Sequence, residues 1–261
     1  MSSPNPVSPE GRRRVIDVAS VDVRFGDVVA VEDLSFVVHE GERVAILGQT
    51  GAGKSTLLNL LVGALAPTSG SVRVADLDPV ADWAGMQGKI AIAFQSPRLL
   101  PWRTAQANVA LGLQILGVAK DERLRRSDEW LARVHLGDAG ARYPAQLSGG
   151  MRQRVALARA FAVQPDVLLL DEAFSALDEV TAARLRADFL EVAAEAGTTA
   201  VIVTHSIEEA FGLAHRVLVL RRPATVAATF DTADLDLEDP VALMELRREV
   251  RGLMTNDASD D

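Results

Sequence analysis

Gly48-Gln49-Thr50-Gly51-Ala52-Gly53-Lys54-Ser55, followed by Thr56, decides how the rest of this chain is read. Two glycines five positions apart, then a lysine and a hydroxyl residue, form the phosphate-loop pattern. The glycines let the backbone curl so that successive N–H groups face inward, toward phosphate oxygens. The apolar run at residues 44–47 predicts a buried strand before the loop. The leucine-rich stretch at 54–65 predicts a helix after it, with its positive N-terminus aimed at the same anion. In this pattern Lys54 neutralises the β- and γ-phosphates and the Ser55 hydroxyl ligates Mg²⁺. The loop specifies a nucleoside triphosphate and no more, because kinases, GTPases and motors share it.

To either side, residues 15–25 alternate apolar and polar side chains and 28–38 read as more strand beyond a Gly26-Asp27 turn, which suggests an antiparallel pair. Further short apolar runs at 71–74, 90–94, 167–170, 199–203 and 217–220 read as strands, and 182–196 and 207–213 as helices. Strands alternating with helices predict an α/β fold, a phosphate-loop core with a mostly parallel sheet. The first 45 residues add an antiparallel β layer. From 104 to 161 the pattern is helical, broken at Gly137, Gly140 and Pro144, so 96–161 reads as an inserted helical subdomain. Residues 1–11 read as a disordered leader and 12–230 as the main domain. Residues 231–261 read as an acidic extension, a solvated helix with a disordered end, since they hold ten Asp or Glu against three Arg.

Composition narrows the function classes. At 261 residues with 48% apolar and 24% charged side chains, the chain can bury a full core. A net charge of -9 argues against a nucleic-acid partner. With no cysteine there is no disulfide framework and no thiolate metal site, which fits a cytoplasmic protein. The Ser- and Pro-rich start is not a signal peptide. No apolar run reaches the ~18 residues that a membrane helix needs, so the expectation is a soluble chain whose membrane span, if any, comes from another subunit.

Two more segments carry chemistry. The strand at 167–170 runs into Asp171 and Glu172, at the strand edge where α/β sheets bind ligands. There Asp171 holds Mg²⁺, and Glu172, pointing the other way, polarises the attacking water. The run Leu147-Ser148-Gly149-Gly150-Met151-Arg152-Gln153-Arg154 opens a long helix, with Ser148 as N-cap and two glycines leaving N–H groups uncovered.

The phosphate loop, this serine-glycine run and the acidic strand, in this order, resemble the ATP-binding subunits of ABC transporters over roughly residues 13–222. The resemblance implies ATP and Mg²⁺ as ligands and two subunits sandwiching two ATPs head to tail. Ser148, Gly149 and Gly150 of one copy then cap the nucleotide held by residues 48–56 of the other. It also implies that Gln95 reaches Mg²⁺ and the attacking water, that Asp178 meets its twin across the dimer, that His205 contacts the γ-phosphate, and that Phe25 stacks on adenine. Three positions depart from the usual pattern: Ala173 where many importers have Pro, Ser175 where close relatives often have Gly, and Ser206 where Asp is usual. None removes a catalytic group, and Ser206 with Glu209 keeps a capping box.

The segment from Phe94, FQSPRLLPWRTAQANV, and the stretch Leu220-Arg221-Arg222-Pro223 are similar to importers of nitrate, sulfonates and taurine. That branch implies permease subunits as partners, with Pro101 and Trp102 as contacts, a solute-binding protein acting indirectly, and a location on the cytoplasmic face of the membrane. Two other functions share some of these motifs: a non-transport ABC ATPase acting on nucleic acid or ribosomes, and a small-molecule kinase. The single phosphate loop and the 53 residues between Gln95 and Ser148 suit a transporter. The serine-glycine run counts against the kinase.

Overall fold

The computed structural model describes residues 11–237 and 239–255. Strands β1 (Arg14–Phe25) and β2 (Val28–His39) form the hairpin expected around Gly26-Asp27. A strand from further along, β4 (Ser69–Val74), pairs with the free edge of β1 to give an antiparallel sheet ordered β2-β1-β4. The second sheet is ordered β5-β6-β7-β3-β8-β9. Strands β3 (Arg43–Leu47), β5 (Ile90–Phe94), β6 (Val167–Asp171), β7 (Ala200–Thr204) and β8 (Arg216–Arg221) run parallel, and β9 (Thr225–Asp231) closes the edge antiparallel to β8. The mostly parallel sheet and the antiparallel layer predicted from the sequence are both present.

Period-two alternation sends successive residues of the parallel strands into two separate cores. Val44, Ile46, Leu169, Val201, Val203 and Leu218 pack against the antiparallel layer and helix α1 (Lys54–Leu61). Ala45, Leu47, Leu168, Leu170, Ile202 and Val219 pack against the helices of the opposite face. With both faces covered, the strands are apolar throughout, which is why they read as unbroken runs. The neighbouring strands β5 and β6 are joined by a long helical excursion: α2 (Ala105–Ile115), α3 (Lys120–Arg133), two short 3-10 turns and α4 (Gly149–Ala162). Beyond β6 come α5 (Glu179–Glu195), α6 (Ile207–Leu213) and α7 (Pro240–Thr255).

Several expectations differ from the structure. Helix α1 stops at Leu61 rather than continuing to residue 65, because the N–H groups of Ala64 and Leu65 both turn back to the Asn59 carbonyl. Strand β4 starts at Ser69, two residues before the expected start at 71. Strand β9 was not anticipated; its first four residues, Thr-Val-Ala-Ala, are all half-buried and lack a clear alternation. The solvated helix expected in the acidic extension is α7, and it is solvated on one side only. Leu246 and Val250 enter the helical core, with Leu253 and Met254 packed against it. The net acidity of that segment hid an amphipathic stripe at positions i, i+4, i+7. The expected disordered leader and end fall almost wholly outside the described residues.

The packing of α7 is testable by chemical denaturation. Leu246→Ala should cost about 2–5 kcal/mol, as expected for deleting a buried leucine. Met244→Ala, on the exposed side, should stay within about 0.5 kcal/mol. Equal effects at the two positions would mean that the helix is not docked as described.

Candidate functional site

The parallel register brings four strand ends to one edge of the sheet. Phe94 pairs with Asp171, Asp171 with Val203, and Leu47 with Thr204. One residue past β5, β6, β7 and β3 therefore stand Gln95, Glu172, His205 and Gly48. The loop 48–53 curls over this edge and feeds α1. Its turn needs glycine at position 53, where φ is +84° and an added Cβ would lie 2.5 Å from the Ala224 Cβ. No side chain caps α1, so its first N–H groups are left for a ligand.

Lys54 is buried, and its Nζ donates to the carbonyls of Gly48 (2.7 Å) and Gln49 (2.9 Å). An ammonium group has three protons, so one remains for an outside acceptor. Burial pulls the Lys54 ammonium below its ordinary value, and the charges of Glu172 and Asp171 oppose that shift. A cavity of about 270 Å³ opens beside it. Thr50, Gly51, Gly53, Lys54, Ser55 and Thr56 form one wall, and Asp171 and Glu172 the other. Gly48 and Ala52 are buried beneath the loop, while Gln49 is exposed.

Strand alternation predicts that Asp171 and Glu172 face opposite ways. They line the same cavity instead. The strand ends at Asp171, and Glu172 adopts the left-handed backbone with φ +49°, which turns its side chain back. A non-glycine residue held there is strained, a feature that concentrates at functional sites. His205 is half-exposed, with Nδ1 3.3 Å from Glu172 Oε1. Beneath it, the Thr204 hydroxyl donates to the buried carboxylate of Glu209 at 2.7 Å. This corrects the expected capping box. Ser206 Oγ does accept from the Glu209 N–H at 3.2 Å, but the Glu209 carboxylate does not reach back. The Ser206 N–H is instead satisfied by Thr204 Oγ1 at 3.0 Å.

The remaining expected site residues lie outside this cavity. Gln95 is exposed, and its Nε2 donates to Ser175 Oγ. Ser148 caps α4 by accepting from the Met151 N–H at 3.2 Å. Gly149 lines a separate depression with Gln95 and Leu177. Gly150 has a structural reason beside any ligand: a Cβ there would lie 2.6 Å from Thr181 Cγ2 on α5. Asp178 caps α5 through the Thr181 N–H. Phe25 is half-exposed at the β1–β2 hairpin, opposite Val28; Val28 lines the cavity, whereas Phe25 is not among its lining residues.

Reading the sequence also passed over three residues that tie these parts together. Gln153, buried within the serine-glycine run, donates to the Phe94 carbonyl at 2.8 Å. Arg159, on the same helix, donates to the carbonyls of Pro97 (2.7 Å) and Arg98 (2.9 Å). Asn108 is fully buried; its Oδ1 accepts from the Leu100 N–H, and its Nδ2 donates to the Leu100, Arg103 and Thr104 carbonyls. It thereby shapes the loop that leaves Trp102 71% exposed. A polar residue at an apolar helix position was the available signal for Gln153 and Asn108.

Such a cavity suits a triphosphate with a hard cation. Inward N–H groups and one ammonium face the anion, while the donors for a cation are the Ser55 hydroxyl and the Asp171 carboxylate. Among the described residues no group of three or more His, Asp or Glu side chains is placed to hold a metal. A cation here would therefore depend on phosphate oxygens and water as well, which is how Mg²⁺ is usually bound.

Fold and cavity define a phosphate-loop nucleotide-binding protein with a serine-glycine helix start outside the cavity. Comparison with known proteins narrows this class. The ABC transporter family pattern matches residues 31–175, more than half of the chain. The nitrate transport protein NasD of Klebsiella oxytoca is 38% identical over 91% of both chains. The taurine import ATP-binding protein TauB of Mesorhizobium japonicum is 42% identical over 83% of both. Among solved structures, cbiO1 from Clostridium perfringens, part of the ABC transporter complex cbiONQ, superposes with a TM-score of 0.79 at 27% identity, covering 91% of this chain and 94% of that one. A dimeric ATP-binding cassette in a post-hydrolysis state bound to ADP and Pi gives 0.71 at 31% identity, covering 83% and 98%. The chain belongs to the ABC transporter family and is its ATP-binding, ATP-hydrolysing subunit.

Burial, and then the adjacent Glu172 charge, push the Asp171 carboxyl above its ordinary value of 3.8. A carboxyl raised in the folded state disfavours folding once it is ionised and has no effect when both states are protonated. Asp171→Asn should therefore raise the melting temperature of the nucleotide-free protein at neutral pH, and the gain should vanish as pH falls below 3.8. Thermal melts at several pH values check this; a gain that is the same at all of them would contradict it.

Proposed function

We propose that this chain energises import of a small solute of the nitrate, sulfonate or taurine type, as a head-to-tail pair of copies docked on permease subunits at the cytoplasmic face of the membrane. The carrying observation is that the ATP cavity holds Lys54, Asp171 and Glu172 but not residues 148–150. The missing wall is then Ser148, Gly149 and Gly150 of a second copy, with Asp178 near the interface. The dimeric relative bound to ADP and Pi favours this arrangement. The nitrate and taurine relatives favour import and speak against action on nucleic acid or ribosomes. Among the described residues no helix is long and apolar enough to cross a membrane, so other subunits supply the path. A solute-binding protein then selects the solute. Exposed Trp102, on the loop that Asn108 shapes, is the permease contact.

Within the site, the loop N–H groups and Lys54 bind the triphosphate, and Phe25 stacks on the base. Ser55, Asp171 and Gln95 are the residues that would hold Mg²⁺, which would supply charge neutralisation at the phosphates. Glu172 orients and deprotonates water in line with the γ-phosphate, and His205, beside Glu172, contacts that phosphate. Residues 12–230 are the ATPase domain in this reading, with the helical subdomain at about 96–161.

Glu172→Gln should abolish turnover yet accumulate an ATP-bound dimer on size exclusion; full turnover in that variant would remove the base role. Ser148→Arg should block hydrolysis while the monomer still binds ATP, as read by equilibrium dialysis. Lost binding to the monomer would contradict action from the partner copy.

A further inference from the structure

The residue at position 175 is bonded in two directions. Its N–H and its Oγ both donate to the Glu172 carbonyl, at 3.2 and 2.9 Å. The same Oγ accepts from Gln95 Nε2 at 3.1 Å. A serine hydroxyl has one proton and two lone pairs. Its proton is already directed at a carbonyl, which can only accept. Toward Gln95 the hydroxyl is therefore an acceptor, and only the NH₂ end of the amide can meet it. The relay fixes which way round the Gln95 amide stands, an orientation that its own shape leaves open. The carbonyl end, Oε1, is left for other partners.

That orientation matters because a hard cation takes oxygen and not amide nitrogen. We infer that Ser175 is a positioning residue that engages the nitrogen end of the Gln95 amide, so that its oxygen is the end left for a cation, and tethers the amide to the Glu172 carbonyl. This rests on the proposed role of Gln95 in hydrolysis. A glycine at position 175 lacks this hydroxyl, so the amide would be free to turn either way.

A double-mutant cycle in the full chain tests the relay, reading kcat, KM for ATP, the Mg²⁺ concentration for half-maximal rate and, without turnover, the Mn²⁺ affinity of the complex with a non-hydrolysable ATP analogue. Ser175→Ala should lower kcat about three- to tenfold, the worth of one ordinary hydrogen bond, and raise the Mg²⁺ requirement, with KM for ATP little changed. Ser175→Thr, which keeps the hydroxyl, should restore both. In a Gln95→Ala background, Ser175→Ala should have no further effect. The same fold loss in both backgrounds, or wild-type behaviour of Ser175→Ala, would overturn the relay while leaving the role of Gln95 intact. Unchanged kcat in Gln95→Ala alone would remove that role and the relay together.

Discussion

Everything at this site depends on the register of parallel strands β5, β6, β7 and β3. Their hydrogen bonds fix Phe94 beside Asp171, Asp171 beside Val203, and Leu47 beside Thr204. Each strand releases one functional residue just past its end. The sheet is buried on both faces, so a slip of one residue would exchange its two cores and expose neither to water without cost. Apolar burial thus sets the position of polar residues more than 150 positions apart in the chain. Ligands collect at this edge in open α/β sheets for the same reason.

The edge is also electrostatically unbalanced without a ligand. A buried ammonium and two carboxylates share one small cavity, and burial disfavours the charged forms of Lys54 and Asp171. Two protons of Lys54 are engaged by loop carbonyls, which keeps it in place before a phosphate arrives. No side chain caps the N-terminus of α1, so its first N–H groups are open to an anion. A triphosphate with its cation offers the complementary pattern, and the site is arranged in advance to receive it.

A second layer of contacts connects the site to distant surfaces. Helix α4 starts at Ser148 and holds the segment after β5 through Gln153 and Arg159. That segment leads on to the loop presenting Trp102, whose backbone is gathered by Asn108. These are bonds from buried (Gln153, Asn108) or half-buried (Arg159) side chains to main-chain carbonyls. Motion of α4 would therefore carry the 94–104 segment with it, a physical route between the helix start and the exposed loop.

The phosphate loop, the α/β class and the acidic strand end are each legible as a local pattern: glycine spacing, apolar period and residue chemistry. Gly48 to Thr56, Asp171 and Glu172 could be named without coordinates for that reason. The rest follows from how distant parts of the chain pack together. Glu172 turns into the cavity because its backbone leaves strand geometry, which alternation does not foresee. Strand β9 and the docked face of α7 exist because β8 and the helical core offer them surface, not because their own residues demand it. The Ser175 relay joins residues 80 positions apart. Ser175 stood out in the sequence only as a departure from a usual glycine. Hydrogen bonds between such distant residues follow from the register of the sheet between them, and no local pattern encodes that register.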